Sequence, residues 1–112
     1  MADAVAIYDE AIKLKDAGNL EGAVVKLNEA LGADPNYSLA HAALAVVHQR
    51  LGHHDDAINH ARKVAEIEPN DPFSFTALSV TYQRAFAGTQ NMQYIRMAED
   101  AMEQSRILQS RH

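Results

Sequence analysis

The residues that break helices in this chain recur at one fixed spacing. Gly18 and Gly52 are 34 residues apart, and Pro35 and Pro69 have the same separation. Proline cannot continue a helix interior and glycine commonly follows a helix end, so these residues mark turns. A fixed period of this size is typical of a fold in which one supersecondary unit is stacked several times. No other feature of the 112 residues constrains the fold as strongly.

The segments between these turns have the apolar spacing of helices. Ile7, Ala11 and Leu14 recur at intervals of four and three residues, which places them on one face of a helix. Alanine is the most frequent residue, and it favours helix over strand. Each unit is therefore predicted to contain a helix, a short turn, a second helix and a turn marked by proline. Within a single domain of residues 1–112, the predicted units are approximately residues 4–37, 38–71 and 72–108.

Short motifs repeat at equivalent places in the three units. They are residues 18–23, 30–31 and 34–37 in the first unit, residues 44–45, 51–52, 57–58 and 68–70 in the second, and Phe75, Leu78, Ser79 and Tyr82 in the third. In these motifs the chain resembles the tetratricopeptide repeat family, with about three repeats over nearly all of its length. The resemblance implies an all-α fold, a right-handed α-solenoid of three stacked antiparallel helix pairs with a concave face.

Small residues stand where the two helices of each unit are predicted to cross. Ala11, Ala45 and Ser79 lie at equivalent places on the first helices, 34 residues apart, and Ala23 and Ala57 do so on the second helices. Small side chains at a crossing let two helices approach closely. A single helix pair cannot bury its apolar face, so stacking of the three pairs is expected to form one continuous core.

The third unit departs from the spacing of the first two. We expect an enlarged turn at residues 85–91, after Tyr82, and the alternative is an extra turn of helix with Phe86 packed beneath it. The last helix, about residues 92–110, fits two registers that lie seven residues apart. We favour the register in which Ala98 is the early small residue of this helix.

The charge and composition of the chain exclude several classes of function. The formal net charge of −5 argues against nucleic acid and against an anionic membrane surface, since both attract basic proteins. The chain has no cysteine, which excludes disulfides, thiol catalysis and thiolate metal sites. No apolar run approaches the ~18 residues of a membrane span, and no export signal is visible at the start. We therefore expect a cytoplasmic protein.

The histidines are predicted to be structural, and no metal ligand or cofactor is predicted. The six are His41, His48, His53, His54, His60 and His112. Chelation within one helix favours pairs three or four residues apart, and none of them has that spacing. His41 and His48 are expected to be packed and hydrogen-bonded. Residues 53–56, two histidines followed by two aspartates, leave a metal-binding protein open as a less favoured hypothesis.

The sequence contains no recognisable catalytic arrangement. It has no glycine-rich phosphate loop, no metalloprotease pair of histidines and no nucleophile elbow. Neighbouring carboxylates such as Asp55 and Asp56 diverge on a helix instead of converging on a substrate. We therefore predict no catalytic residue and no enzymatic activity.

The concave face is the predicted partner-binding surface. In the family that this chain resembles, the first helix of each repeat lines that face, and the implied residues are Val5, Tyr8, Ile12, Lys15, Leu39, Ala42, Val46, Gln49, Arg50, Phe73, Thr76, Val80, Gln83 and Arg84. Val5, Val46 and Val80 are among the implied residues that lie outside the apolar face through which the two helices of a unit pack together. The alternative is ordinary packing between adjacent repeats. An exposed apolar groove with a polar rim is a binding-site signal.

Three basic residues lie along the rim of this predicted groove. Arg50 and Arg84 are 34 residues apart, so they occupy equivalent points on successive first helices, and Lys15 lies close to the same rim. We therefore expect a protein-protein interaction module, an adaptor or scaffold. It is expected to bind an amphipathic peptide or helix with leucine-like anchors and some Asp or Glu. The alternative for these arginines is that they pair with acidic residues of the same chain. The alternative for the function is a self-associating scaffold that forms a homodimer.

One well-known subfamily of the repeat grips the free carboxylate of chaperone tails with a clamp of Lys, Asn and Arg. At the matching places this chain has Tyr8, Ile12, Ala43, Phe73 and Ala77. None of these side chains supplies the charge or the amide of the clamp. A tail of the Hsp70 or Hsp90 type is therefore not the expected ligand.

Overall fold

The computed structural model describes residues 3–111, which form six helices joined by short turns. The helices are α1 (Ala4–Asp16), α2 (Leu20–Ala33), α3 (Ser38–Arg50), α4 (His54–Ile67), α5 (Pro72–Thr89) and α6 (Gln93–Ser110). Extensive contacts join α1 to α2, α3 to α4 and α5 to α6, and α2 and α4 each also contact the following helix. Residues 3–111 contain no strand, and this confirms the predicted all-α solenoid of three helix pairs. None of these helices combines the length and apolar character needed to cross a membrane.

Glycine closes the turn within each of the first two pairs. Gly18 and Gly52 have φ angles of 86° and 81°, in the left-handed region where a side chain is strained. In each turn the N–H of the next residue donates to a carbonyl of the preceding helix, from Asn19 to Leu14 and from His53 to His48, at 2.9 and 2.8 Å. The repeated glycines therefore mark equivalent turns, as their spacing predicts.

The small residues predicted at the helix crossings are buried. Ala11 and Ala23 are fully buried, and Ala45 and Ala57 retain little exposure. In the third pair the hydroxyl of Ser79 donates a hydrogen bond of 2.7 Å to a backbone carbonyl of α6, that of Ala98. This contact sets α6 in the register that the sequence analysis favours.

The expected enlarged turn at residues 85–91 is wrong for most of its length. Helix α5 continues to Thr89 and ends where Gln90 takes a left-handed φ of 63°, so the alternative of additional helix describes this segment. The reason is that the alanines of the segment favour helix and no proline interrupts them. Phe86 is half-buried under the added helical turn. Gly88 has no side chain, and this allows α5 to pass close to the ring of His54.

Instead of the single continuous core that the sequence predicts, buried apolar residues form two clusters that share helix α3. The first joins α1, α2 and α3 through Ile7, Ala11, Ala23, Leu27, Ala30, Ala40, Ala43, Leu44 and Val47. The second joins α3, α4, α5 and α6 through Ala45, Ile58, Ala61, Ala65, Leu78, Tyr82, Ala85, Ala98 and Ala101. Alanine supplies five of the nine buried residues in the first cluster and six of the nine in the second.

Candidate functional site

A cleft of about 290 Å³ lies between α3 and α5, with α4 contributing to its wall. Its lining residues are Ala42, Ala45, Val46, Gln49, Ala61, Val64, Ser74, Ala77, Val80, Thr81 and Arg84. The lining is predominantly apolar, and four of these residues are alanine, which leaves space where larger side chains would fill it. Concave, mostly apolar sites with few polar groups are typical of ligand binding.

Five of the predicted partner-binding residues meet in this cleft. Ala42, Val46 and Gln49 come from α3, and Val80 and Arg84 come from α5. They come together because α3 and α5 are the first helices of adjacent pairs and lie side by side. The structure thus groups the central part of the predicted set.

Other members of the predicted set expose large apolar side chains. Val5, Leu39 and Phe73 are 51%, 52% and 73% exposed, and in the cleft Val46 and Val80 remain 42% and 39% exposed. These exposures show that packing between repeats leaves a substantial part of each of these apolar side chains uncovered. Clustered exposed apolar side chains mark interaction surfaces more often than isolated ones do.

Three of the four predicted residues of the first pair, Tyr8, Ile12 and Lys15, are partly buried. The ring of Tyr8 packs edge-on against Tyr37 at a centroid distance of 5.6 Å, and Ile12 packs against the first apolar cluster. The ammonium of Lys15 lies 4.0 Å from the carboxylate of Asp16. Tyr8 and Ile12 therefore contribute to the contact between the first and second pairs.

Thr76 and Gln83 lie on the side of α5 that meets α6, and neither lines the cleft between α3 and α5. The hydroxyl oxygens of Thr76 and Ser105 on α6 are 2.8 Å apart, and the amide of Gln83 donates to Ser79 at 3.2 Å. Gln83 also lines a second cleft, of about 500 Å³, between α5 and α6. The 34-residue period does not predict this second cleft, and the sequence signal closest to it is the longer third unit.

The two arginines of the predicted rim differ from the paired lysines of the chain. Among residues 3–111, no carboxylate lies within 4.0 Å of the guanidinium of Arg50 or Arg84, whereas Lys26 lies 3.3 Å from Glu10 and 3.4 Å from Glu29. Both arginines are exposed. Arg84 lines the cleft and Arg50 does not, and neither guanidinium is neutralised by a carboxylate of the described part of the chain.

The histidines of the second pair form a connected group. His41 is buried, and its Nε2 lies 2.9 Å from the carbonyl oxygen of Pro35. Because a carbonyl only accepts, Nε2 of His41 donates this hydrogen bond. The Nδ1 atoms of His41 and His60 share a second hydrogen bond of 3.0 Å. Burial, with smaller effects of His41 and His48, lowers the pKa of His60 to about 4. His41 is thus packed and hydrogen-bonded, as predicted.

Three further histidines lie at or near the turn between α3 and α4, and they make different contacts. The Nδ1 atoms of His48 and His53 are 3.1 Å apart, and Asp56 lies beside them. Burial lowers the pKa of His48. His54 instead faces Gly88, and its buried Nδ1 has no hydrogen-bond partner among the described residues. His112 lies outside the described residues.

A profile of one protein family matches the central, repeated part of the chain. The profile described as tetratricopeptide repeat matches residues 14–78, more than half of the chain. The chain belongs to the tetratricopeptide repeat family.

Individual relatives share the fold at lower identity. The TPR repeat-containing thioredoxin TTL4 of Arabidopsis thaliana is 36% identical over 53% of this chain, and this chain spans about a tenth (11%) of that protein's length. A crystal structure of MamA superposes with a TM-score of 0.82 at 18% identity, covering 97% of this chain and 60% of MamA. The second TPR of Spaghetti (RPAP3), bound to the HSP90 peptide SRMEEVD, gives 0.76 at 17% identity, covering 95% and 92%. At these identities the solved structures are evidence for the fold alone.

Proposed function

We propose that this chain is a non-enzymatic interaction module that holds a peptide or helix of a partner protein in the cleft between α3 and α5. The observation that carries the proposal is the exposure of Val46 and Val80 in an apolar cleft with Arg84 at its edge. A fold of the same kind binds a peptide in the structure of Spaghetti. Apolar anchors seated between alanines would supply most of the binding free energy.

The charge at the cleft selects among peptides. Arg50 and Arg84 present unneutralised guanidinium groups on a protein whose formal charge is otherwise negative. A partner segment with leucine-like anchors and Asp or Glu beside them fits this arrangement. Tyr8 and Ile12 stand at places where a carboxylate clamp would need charged or amide side chains, so we expect an internal amphipathic segment instead of a chaperone tail.

The proposal assigns the chain an adaptor or scaffold role in the cytoplasm. The absence of cysteine is compatible with that compartment. Nucleic acid and membrane are not proposed as partners, because the formal net charge is −5.

Selection from a displayed library of random peptides tests the proposal directly. We expect wild-type protein to enrich amphipathic peptides with Leu and acidic residues. Val46→Glu should abolish calorimetric binding of those peptides, because it places a charge in the apolar cleft. Val25→Glu is the matched control, since Val25 is 60% exposed on α2 and does not line the cleft.

Two results would contradict the proposal. If the enriched peptides bind Val46→Glu as tightly as wild type, they do not occupy this cleft. If Val46→Glu unfolds by circular dichroism while Val25→Glu does not, Val46 belongs to the core and the cleft is not a free surface. Sedimentation over a range of concentrations separates a second copy from a peptide partner. Self-association that Val46→Glu removes would replace the peptide by a homodimer.

A further inference from the structure

The second helix pair carries a cluster of metal-ligand side chains at the turn between α3 and α4. The Nδ1 atoms of His48 and His53 are 3.1 Å apart. One ring nitrogen of each histidine and one carboxylate oxygen of Asp56 all lie within 4.8 Å of one another. Two nitrogens that share a tetrahedral zinc ion at ~2.0–2.1 Å are about 3.3 Å apart. The two imidazoles are therefore already near the separation that one ion requires.

The turn fixes the positions from which these side chains start. The N–H of His53 donates to the carbonyl of His48 at 2.8 Å, across Gly52 in its left-handed conformation. The ring of His48 is parallel to that of His60, with 2° between the planes and 5.7 Å between the centroids. His53 and Asp56 are exposed, so an ion can reach them from solvent. Packing against His60 positions the ring of His48, and the other two ligands are exposed side chains beside it.

The equivalent turn of the first pair has the same backbone and none of these ligands. The residues 34 positions before His48, His53 and Asp56 are Leu14, Asn19 and Gly22. Asn19 caps α2, since its side-chain oxygen accepts from the N–H of Gly22 at 2.9 Å. His53 occupies the same capping position of α4 and makes no side-chain cap bond. Its imidazole faces His48 instead, so the repeat alone does not explain its position.

We propose that His48, His53 and Asp56 together bind one divalent transition-metal ion, for which zinc is the probe. Imidazole nitrogens and a carboxylate oxygen are donors that zinc uses in proteins. The remaining coordination positions face solvent, because two of the three ligands are exposed. The bound ion joins the end of α3 to the first turn of α4, and it stabilises the folded state by binding it in preference to the unfolded chain. This site shares no residue with the proposed peptide cleft.

Titration of the tag-free full chain with zinc chloride, after treatment with EDTA and removal of the chelator, tests the site. Calorimetry should show one zinc ion per chain, and zinc should raise the melting temperature. His53→Asn and Asp56→Asn should each weaken zinc binding by at least the roughly 10–100-fold that loss of an outer-shell partner costs. Both residues are exposed, so these variants are expected to remain folded.

His54→Asn is the matched control, because His54 adjoins His53 in sequence but faces Gly88. It should bind zinc as wild type does. Imidazole NMR signals of His48 and His53 should shift on addition of zinc, and those of His41 should not. Wild-type protein that binds no zinc overturns the proposal and leaves a simple hydrogen bond between two histidines. Zinc binding that survives in both His53→Asn and Asp56→Asn also overturns it.

Discussion

The two junctions between successive helix pairs have the same architecture and different fillings. At the first junction, where α1 and α2 meet α3, Tyr8 packs on Tyr37 and Leu27 is fully buried. At the second junction, where α3 and α4 meet α5, the cleft of about 290 Å³ remains open. The positions 34 residues after Tyr8 and Leu27 hold Ala42 and Ala61, and both line that cleft. At these repeated positions the first junction has large residues and the second has alanine. The first junction is therefore closed, and the second leaves a candidate binding surface open.

The largest effect is expected from making the first junction resemble the second. Leu27→Ala removes a fully buried side chain and should cost about 2–5 kcal/mol in the free energy of unfolding, measured by urea denaturation. The loss combines the transfer free energy of the removed atoms with the cavity they leave. A cost below about 1 kcal/mol would mean that the first junction is as loosely packed as the second.

Two further variants compare two alanines that lie one turn apart on α4. Ala57→Leu should cost about 1–3 kcal/mol, because Ala57 is 1% exposed at the crossing with α3 and an added side chain overpacks it. Ala61→Leu should cost less, because the new side chain extends into the cleft. Urea denaturation of both variants measures the difference. A neutral Ala57→Leu would mean that the helices do not cross there.

The two junctions should also differ in their dependence on pH. The residues 34 positions before His41 and His60 are Ile7 and Lys26, so the first pair lacks these two imidazoles. Folding lowers the pKa of His60 from 6.5 to about 4, so between these values the unfolded chain binds a proton that the folded chain does not. The stability contributed by neutral His60 is therefore complete above about pH 7 and is lost as the pH falls from 6.5 towards 4.

The matched variant for this pH prediction is His60→Asn in EDTA. The asparagine amide can still donate to His41, but it does not titrate. His41, His48 and Asp56 face His60 and are retained in the variant. The midpoint of urea denaturation should fall less steeply with decreasing pH in His60→Asn than in wild type. Equal slopes would show that His60 is not the group responsible.

The smallest effect on stability is expected at the charged edge of the second junction. The double variant Arg50→Glu, Arg84→Glu should keep the wild-type melting temperature, because neither guanidinium pairs with a carboxylate among residues 3–111. It should associate more slowly at low salt with an acidic peptide selected on the wild type, and the deficit should shrink at high salt. Stopped-flow fluorescence measures the rates. Equal rates at low salt would show that these arginines are a solvated face.

Features that depend on the repeat could be predicted from the sequence. Gly18 and Gly52 need a backbone conformation that disfavours side chains, and the buried alanines at the crossings follow the same period. Both are local requirements of one repeated unit, so a 34-residue spacing is sufficient to find them.

Features that depend on which neighbour covers a residue could not be predicted in this way. Tyr8, Ala42 and Thr76 occupy the same place in successive units, yet Tyr8 contacts Tyr37, Ala42 lines the cleft and Thr76 meets Ser105. The contact of each depends on side-chain volume and on the next helix, which the periodicity does not encode. The spacing rule for ligands within one helix likewise does not pair His48 with His53. The two residues lie on either side of the glycine turn, and the turn brings them together.

Helix α3 contributes to both apolar clusters, through Leu44 and Val47 on one side and Ala45 on the other. In a linear array each unit is stabilised mainly by its neighbours, so the central unit is held by two interfaces and each terminal unit by one. Opening of α1 or α6 therefore leaves the rest of the array intact, whereas opening of α3 breaks both clusters at once. Backbone amides of α3 should accordingly exchange with solvent only through global unfolding, and those of the outer helices through local fraying.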